Sequence, residues 1–126
     1  MKLRIRGNTL RLRLTRGEVS QLADTGEVRE AIAFGPGSNE RLGYAILASE
    51  AATATSARMS GGSVEVVVSR ALAREWAANE TVGFEAEQAV GGGLSLHILV
   101  EKDFACLTPR KGEDDADAFP NPNESC

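Results

Sequence analysis

Lys2-Leu-Arg-Ile-Arg-Gly-Asn-Thr-Leu-Arg-Leu-Arg-Leu14 decides the fold class. Leu3, Ile5, Leu10, Leu12 and Leu14 alternate with Lys2, Arg4, Arg6, Arg11 and Arg13. A period of two places the two sets on opposite faces of a strand, the pattern of a half-buried sheet. Gly7-Asn8 divides the run and supplies residues that tolerate positive φ, as a two-residue hairpin turn requires. That turn sets the register: Arg6 faces Thr9, Arg4 faces Arg11 and Lys2 faces Arg13. Five cations thus share one sheet face and the aliphatic side chains share the other.

Working outward, Thr15 reads as a helix N-cap and Glu18, three residues on, completes a capping box. Val19, Leu22 and Ala23 form one apolar stripe, and Gly26 stops the helix. Strands are expected at about 27–34 and 42–48, joined through Gly35-Pro36-Gly37.

The same order recurs when the chain is shifted by about 54 residues, and such recurrence is the mark of an internal repeat. Leu10, Leu12 and Leu14 fall on Val64, Val66 and Val68; Gly7 falls on Gly61, Arg4 on Arg58 and Val28 on Val82. Gly61-Gly62 is the turn and Ser69 the cap. Leu72, Ala73, Trp76 and Ala77 are the stripe, and Asn79 is the stop. Strands at about 81–88 and 94–101 follow, joined by Gly91-Gly92-Gly93. After a loop that differs in length, Leu42, Tyr44 and Ile46 match Leu94, Leu96 and Ile98. The expected fold is α+β: an internal duplication of a β-β-α-β-β unit with two short helices. Its core is a mostly antiparallel, eight-stranded barrel or two packed sheets. One domain spans 1–126, with repeats at about 1–50 and 55–102. Residues 103–126 form an irregular acidic tail that Phe104, Leu107 and Phe119 could pin to the body.

The chain has 126 residues, 14 Lys and Arg against 18 Asp and Glu, and a formal net charge of -4. That balance hides a basic head and an acidic tail. Overall acidity argues against a dedicated nucleic-acid binder without excluding a local basic patch. No apolar run approaches the ~20 residues needed to cross a bilayer as a helix. The charged start has no apolar core of a signal peptide, so a cytoplasmic protein without a membrane partner is expected. Cys106 and Cys126 read as a reduced pair, because such a compartment disfavours disulfides. With only His97 beside them, they lack the spacing of a structural zinc site.

Three readings of the cationic face compete. Long stems can cover the sheet while their charged heads stay in water. Acidic strands can cover it, Glu85 and Glu87 being candidates and Glu65 standing at the place matching Arg11. Alternatively, Lys2, Arg4, Arg6, Arg11 and Arg13 bind an anion, for which the arginine fork offers two parallel bonds to phosphate oxygens. His97 reads as a surface or satisfied residue and Trp76 as core. Glu113-Asp114-Asp115-Ala116-Asp117 lacks the ligand pattern of a calcium loop. No nucleophile elbow or triad pattern is present.

Lys2-Leu-Arg-Ile-Arg-Gly-Asn-Thr-Leu-Arg-Leu-Arg-Leu-Thr15 with Glu18-Val19 resembles the start of a family of small uncharacterised bacterial proteins. Val100-Glu-Lys-Asp-Phe-Ala-Cys-Leu107, Glu113-Asp114 and Asp117-Ala-Phe-Pro-Asn-Pro122 resemble its C-terminal signature. The resemblance covers nearly the whole chain. It implies bacterial origin and a domain of unknown function, and it carries no activity and no site residue.

The residues favour a non-enzymatic module that binds an anionic small molecule or a protein partner, as a homo-oligomer and with no cofactor. One alternative is a metal-dependent phosphate-ester or polyphosphate hydrolase with a charged barrel interior, Glu85 and Glu87 holding the metal. Another is an assembly protein that docks an acidic tail on a basic hairpin.

Overall fold

The alternating run forms two strands, β1 (Lys2–Arg6) and β2 (Thr9–Leu14), in a computed structural model that describes residues 1–105 and 119. Their register pairs Lys2 with Arg13, Arg4 with Arg11 and Arg6 with Thr9, as the two-residue turn dictates. Only Gly7 uses positive φ there (54°), which fits a turn with glycine at its first central position; Asn8 does not share it.

Helix α1 (Arg16–Thr25) begins with the expected capping box. The Thr15 hydroxyl accepts from the Glu18 N–H at 3.3 Å, and the Thr15 N–H donates to the Glu18 carboxylate at 2.9 Å. Then follow β3 (Glu27–Ala33), a short 3-10 turn (Ser38–Glu40) and β4 (Arg41–Ser49). The second half runs β5 (Ser56–Ser60), β6 (Ser63–Ser69), α2 (Arg70–Ala78), β7 (Gly83–Gly91) and β8 (Leu94–Lys102). Ser69 caps α2 by accepting from the Leu72 N–H at 3.1 Å.

Each half sends its two hairpins to different sheets. One sheet, here sheet A, has the order β1-β2-β8-β7; sheet B has β3-β4-β6-β5. Hairpin partners are antiparallel, but the hairpins of a sheet meet through a parallel centre, β2 with β8 and β4 with β6. Read from β5, sheet B runs β5-β6-β4-β3, the order of sheet A with each strand replaced by its counterpart in the other half. The registers adjust the matching of the halves. Leu10 lies opposite Ile98 and Val64 opposite Tyr44, so Tyr44 corresponds to Ile98 rather than Leu96. Val28 pairs with Ile46 and Phe84 with Val100, so Phe84 takes the place of Val28, and Val82 is left exposed.

The sheets do not close into a barrel. Closure would need a backbone ladder between edge strands; here the β5 and β7 edges are joined by one side chain. The Gln88 amide donates to the Ala57 carbonyl at 2.9 Å and accepts from the Ala57 N–H at 2.8 Å. At the other edge the Met1 ammonium meets Glu30 of β3 at 2.8 Å and Glu18 of α1.

The shared core contains Leu10, Leu12 and Leu14, Val28, Ile46, Val66, Val68, Ile98 and Val100. Both helices lie beyond the ends of β2 and β6, where Val19, Leu22, Ala73 and Trp76 plug the space between the sheets. Ala77, expected on the stripe, is exposed. Among the described residues, no helix lies over the opposite end, at the Gly7 and Gly61 turns. The interior is apolar, so the charged barrel interior required by the hydrolase reading is replaced by an aliphatic core. Period-two alternation left only aliphatic side chains to face inward, and burying them is what holds the sheets together.

The Met1 contacts have a pH signature. Burial opposes the ammonium's charge, but hydrogen bonds and fields from Glu18 and Glu30 outweigh it, and its pKa rises above the ordinary 8.0. Burial likewise opposes ionisation of Glu18, yet the Met1 ammonium and Thr15 lower its pKa below the ordinary 4.5. The ammonium's contribution is complete below pH 8.0 and is lost as pH rises through its raised value. The Glu18 contribution is complete above pH 4.5 and is lost as pH falls through its lowered value. Acetylating the N-terminus is therefore expected to lower the melting temperature at pH 7 and to remove the part of its alkaline decline that belongs to Met1. Identical melting curves for the acetylated and free proteins from pH 6 to 10 would refute this coupling.

Candidate functional site

The solvent face of sheet A is built in rows across four strands. The row nearest the turn end runs Arg6, Thr9, His97, Glu87; the next runs Arg4, Arg11, Leu99, Glu85; the third runs Lys2, Arg13, Glu101, Gly83. All five cations named from the sequence thus stand together on β1 and β2, which carry no acidic residue. Like charges directly opposite one another in a ladder are destabilising. The Arg4–Arg11 and Lys2–Arg13 pairs therefore need an offset from elsewhere.

Part of that offset comes from the start of the acidic C-terminal segment, in line with a basic head and an acidic tail that neutralise each other within one chain. Arg11 Nε meets Glu101 at 2.9 Å, and Lys2 Nζ meets Asp103 at 3.0 Å. Both acids follow from the parallel β2–β8 pairing, a contact between segments far apart in sequence. Glu85 and Glu87, the acids expected to cover the cations, lie on the far edge strand β7, and the Glu85 carboxylate meets His97 Nε2 at 3.0 Å. His97 is half-buried on this outer face, with Glu85 as its partner. Glu101 and Asp103, at the end of β8, thus supply acidic cover to Arg11 and Lys2.

Glu65 also has a different role from the one expected. It lies in sheet B, in the row Arg58, Glu65, Ala45, Arg29 that corresponds to Arg4, Arg11, Leu99, Glu85. Arg58 Nε donates to it at 2.9 Å and Arg29 Nη1 at 3.2 Å. The Arg58 bond above all, with Arg29, holds the Glu65 carboxyl below the usual carboxylate range against the opposing effect of burial. Glu27 adds a further bond to Arg29 at 3.1 Å. Sheet B thus places an acid within this row, where sheet A sets two arginines and draws the carboxylate of Glu101 to Arg11 from the next row.

Between the sheets at the turn end lies a cavity of about 340 Å³, lined by Ile5, Leu10, Met59, Val64, Val90 and Leu96 among others. A wider groove of about 770 Å³ at the helix end contains Arg16, Lys102 and Phe104. Among the described residues, no three or more His, Cys, Asp or Glu side chains gather to hold a metal ion. Glu85 and Glu87 face solvent and not a cavity. Phe119, proposed as an anchor, is 96% exposed. Cys106, Leu107, the acidic run 113–117, the prolines of the tail and Cys126 lie outside the described residues.

No helix among the described residues is long and apolar enough to cross a membrane. No curated protein and no solved structure matches the chain. The model of a family of unknown function, DUF7009, matches residues 1–123. With nearly its whole length covered by that match, the chain belongs to DUF7009, a family of unknown function.

Proposed function

We propose that this protein is a non-enzymatic binding module that recognises a phosphate-bearing anion on the solvent face of sheet A, centred on Arg4 and Arg11 and flanked by Lys2, Arg6 and Arg13. One contrast carries the reading. At corresponding positions of the two sheets, sheet B pairs Arg58 with Glu65 while sheet A sets Arg4 opposite Arg11. The fold accommodates a neutralised row there, so architecture alone does not call for two arginines. A multivalent anion bridging Arg4 and Arg11 would use the two-pronged donor geometry of guanidinium. On the same reading the halves are copies of one ancestral β-β-α-β-β unit, and Arg11 and Glu65 are where the copies diverged.

Titration calorimetry with inorganic tripolyphosphate and with ATP, each at low and moderate salt, tests the proposal. Wild-type protein is expected to bind. Arg4→Ala/Arg11→Ala is expected to lower the affinity at least ~10-fold, since each charged hydrogen bond is worth about 1.5–3 kcal/mol. Its melting temperature without ligand should stay near that of wild type, because both side chains lie off the core. Absence of binding at low salt, or binding unchanged in the double variant, would overturn the site. Release of phosphate in the presence of Mg²⁺ would overturn the non-enzymatic role.

A further inference from the structure

The chain leaves its two sheets on the cationic face. Strand β8 ends at Lys102, and the next residue still follows β2: the Asp103 N–H donates to the Leu14 carbonyl at 2.8 Å. The Asp103 carboxylate then reaches past β2 to Lys2 of β1 at 3.0 Å. Glu101, two residues earlier, meets Arg11 at 2.9 Å. The last two acids before the exit are thus already paired with cations of the hairpin.

The sequence beyond the exit continues in the same sense. Glu113, Asp114, Asp115 and Asp117 fall within one short run, and Arg110 and Lys111 precede it. Strands β1 and β2 carry five cations and no acid, and Arg4 and Arg6 stand exposed on the edge strand. Blocks of opposite charge set this close together attract. Length permits the contact. Ten residue steps separate Asp103 from Glu113, a reach of roughly 33 Å when extended, whereas Lys2 to Arg6 is four strand steps, roughly 13 Å. A tether this short holds the acids near the face at a concentration on the order of millimolar, so weak exposed ion pairs suffice. Phe119 is 96% exposed and gives no apolar anchor, which makes the contact one of charge.

We propose that the acidic run Glu113–Asp117 is a ligand of this face in its own chain, lying across Arg4 and Arg6, and that an incoming phosphate-bearing anion must displace it. The docking follows from charge and from the point of exit; the competition rests on the anion reading above.

Two measurements on the full-length chain test the two parts. In the first, with no anion added, a nitroxide is placed on Ala116→Cys in a Cys106→Ser/Cys126→Ser background. It is expected to broaden the amide NMR signals of Arg4 and Arg6 and to spare those of Arg58 and Glu65 in sheet B. The broadening should vanish at 1 M NaCl, where charges are screened within about 3 Å. It should vanish too in Glu113→Gln/Asp114→Asn/Asp115→Asn/Asp117→Asn. Absent broadening, or broadening that salt and neutralisation leave unchanged, would overturn the docking. So would broadening that appears in unlabelled-spin chains when they are mixed with nitroxide-bearing ones, because the run would then sit on a neighbouring copy. In the second, tripolyphosphate is titrated into wild type and the neutralised variant. The variant is expected to bind at least about threefold more tightly, since its face is no longer occupied. The charge-matched control Asp24→Asn/Glu50→Gln/Glu75→Gln/Glu80→Gln should bind like wild type. Equal gains in both variants, or none in either, would overturn the competition. Docking seen by NMR with no tripolyphosphate binding in any variant would instead overturn the anion reading and the competition that rests on it, and leave the docking in place.

Discussion

Leu12→Asp is expected to abolish folding. Leu12 is 1% exposed between the sheets, among Leu10, Leu14, Val66 and Val100. The substitution removes a buried leucine, worth about 2–5 kcal/mol, and leaves a carboxylate with no cationic partner in an aliphatic core, which costs several kcal/mol more. Together these match the ~5–15 kcal/mol by which a whole domain of this kind is stable. The comparison is internal: Arg11→Ala, one residue away on the opposite face, should retain the fold. Far-UV circular dichroism at 25 °C separates the two. A folded Leu12→Asp protein, or an unfolded Arg11→Ala protein, would contradict the assignment of faces on β2.

Trp76→Ala should lower stability by about 3–5 kcal/mol, the usual cost of emptying a large aromatic site. Trp76 is the largest fully buried side chain and fills the helix end of the core. Its Nε1–H donates to the Thr81 carbonyl at 3.0 Å, and its ring meets Phe84 edge-on at 5.2 Å and 83°. Lys102 Nζ sits 5.7 Å from the ring centroid. Trp76→Phe keeps an aromatic ring but leaves the Thr81 carbonyl without this donor, so a smaller loss of about 1–3 kcal/mol is expected. Urea unfolding of the three proteins checks the order. Equal midpoints for wild type and Trp76→Ala would place Trp76 outside the core.

Local features of the chain were legible because each is written within a few residues. The faces of β1 and β2, the Gly7 hairpin register, the Thr15–Glu18 capping box and the Ser69 cap rest on period-two alternation and on side chains that bond their own backbone. The hydrophobic stripes identified Val19, Leu22, Ala73 and Trp76 as buried. Ala77 fell on the exposed side because its small side chain carries little information about which face it occupies.

The candidate face was half legible. Its five cations and their mutual register come from one hairpin. Its partners do not. Glu101 and Asp103 reach Arg11 and Lys2 only because β8 runs parallel to β2, and Glu65 was diverted to Arg58 and Arg29 by its place in the other sheet.

By itself, then, the sequence determined the strands, the helix caps, the inward and outward faces and the five-cation cluster, since each depends on neighbours along the chain. The tertiary structure alone decided that the hairpins of each half part to different sheets, that β2 meets β8 and β4 meets β6 in parallel, and that no barrel closes. These choices come from how whole apolar faces bury one another, and that is a sum over contacts between distant segments which no local pattern encodes.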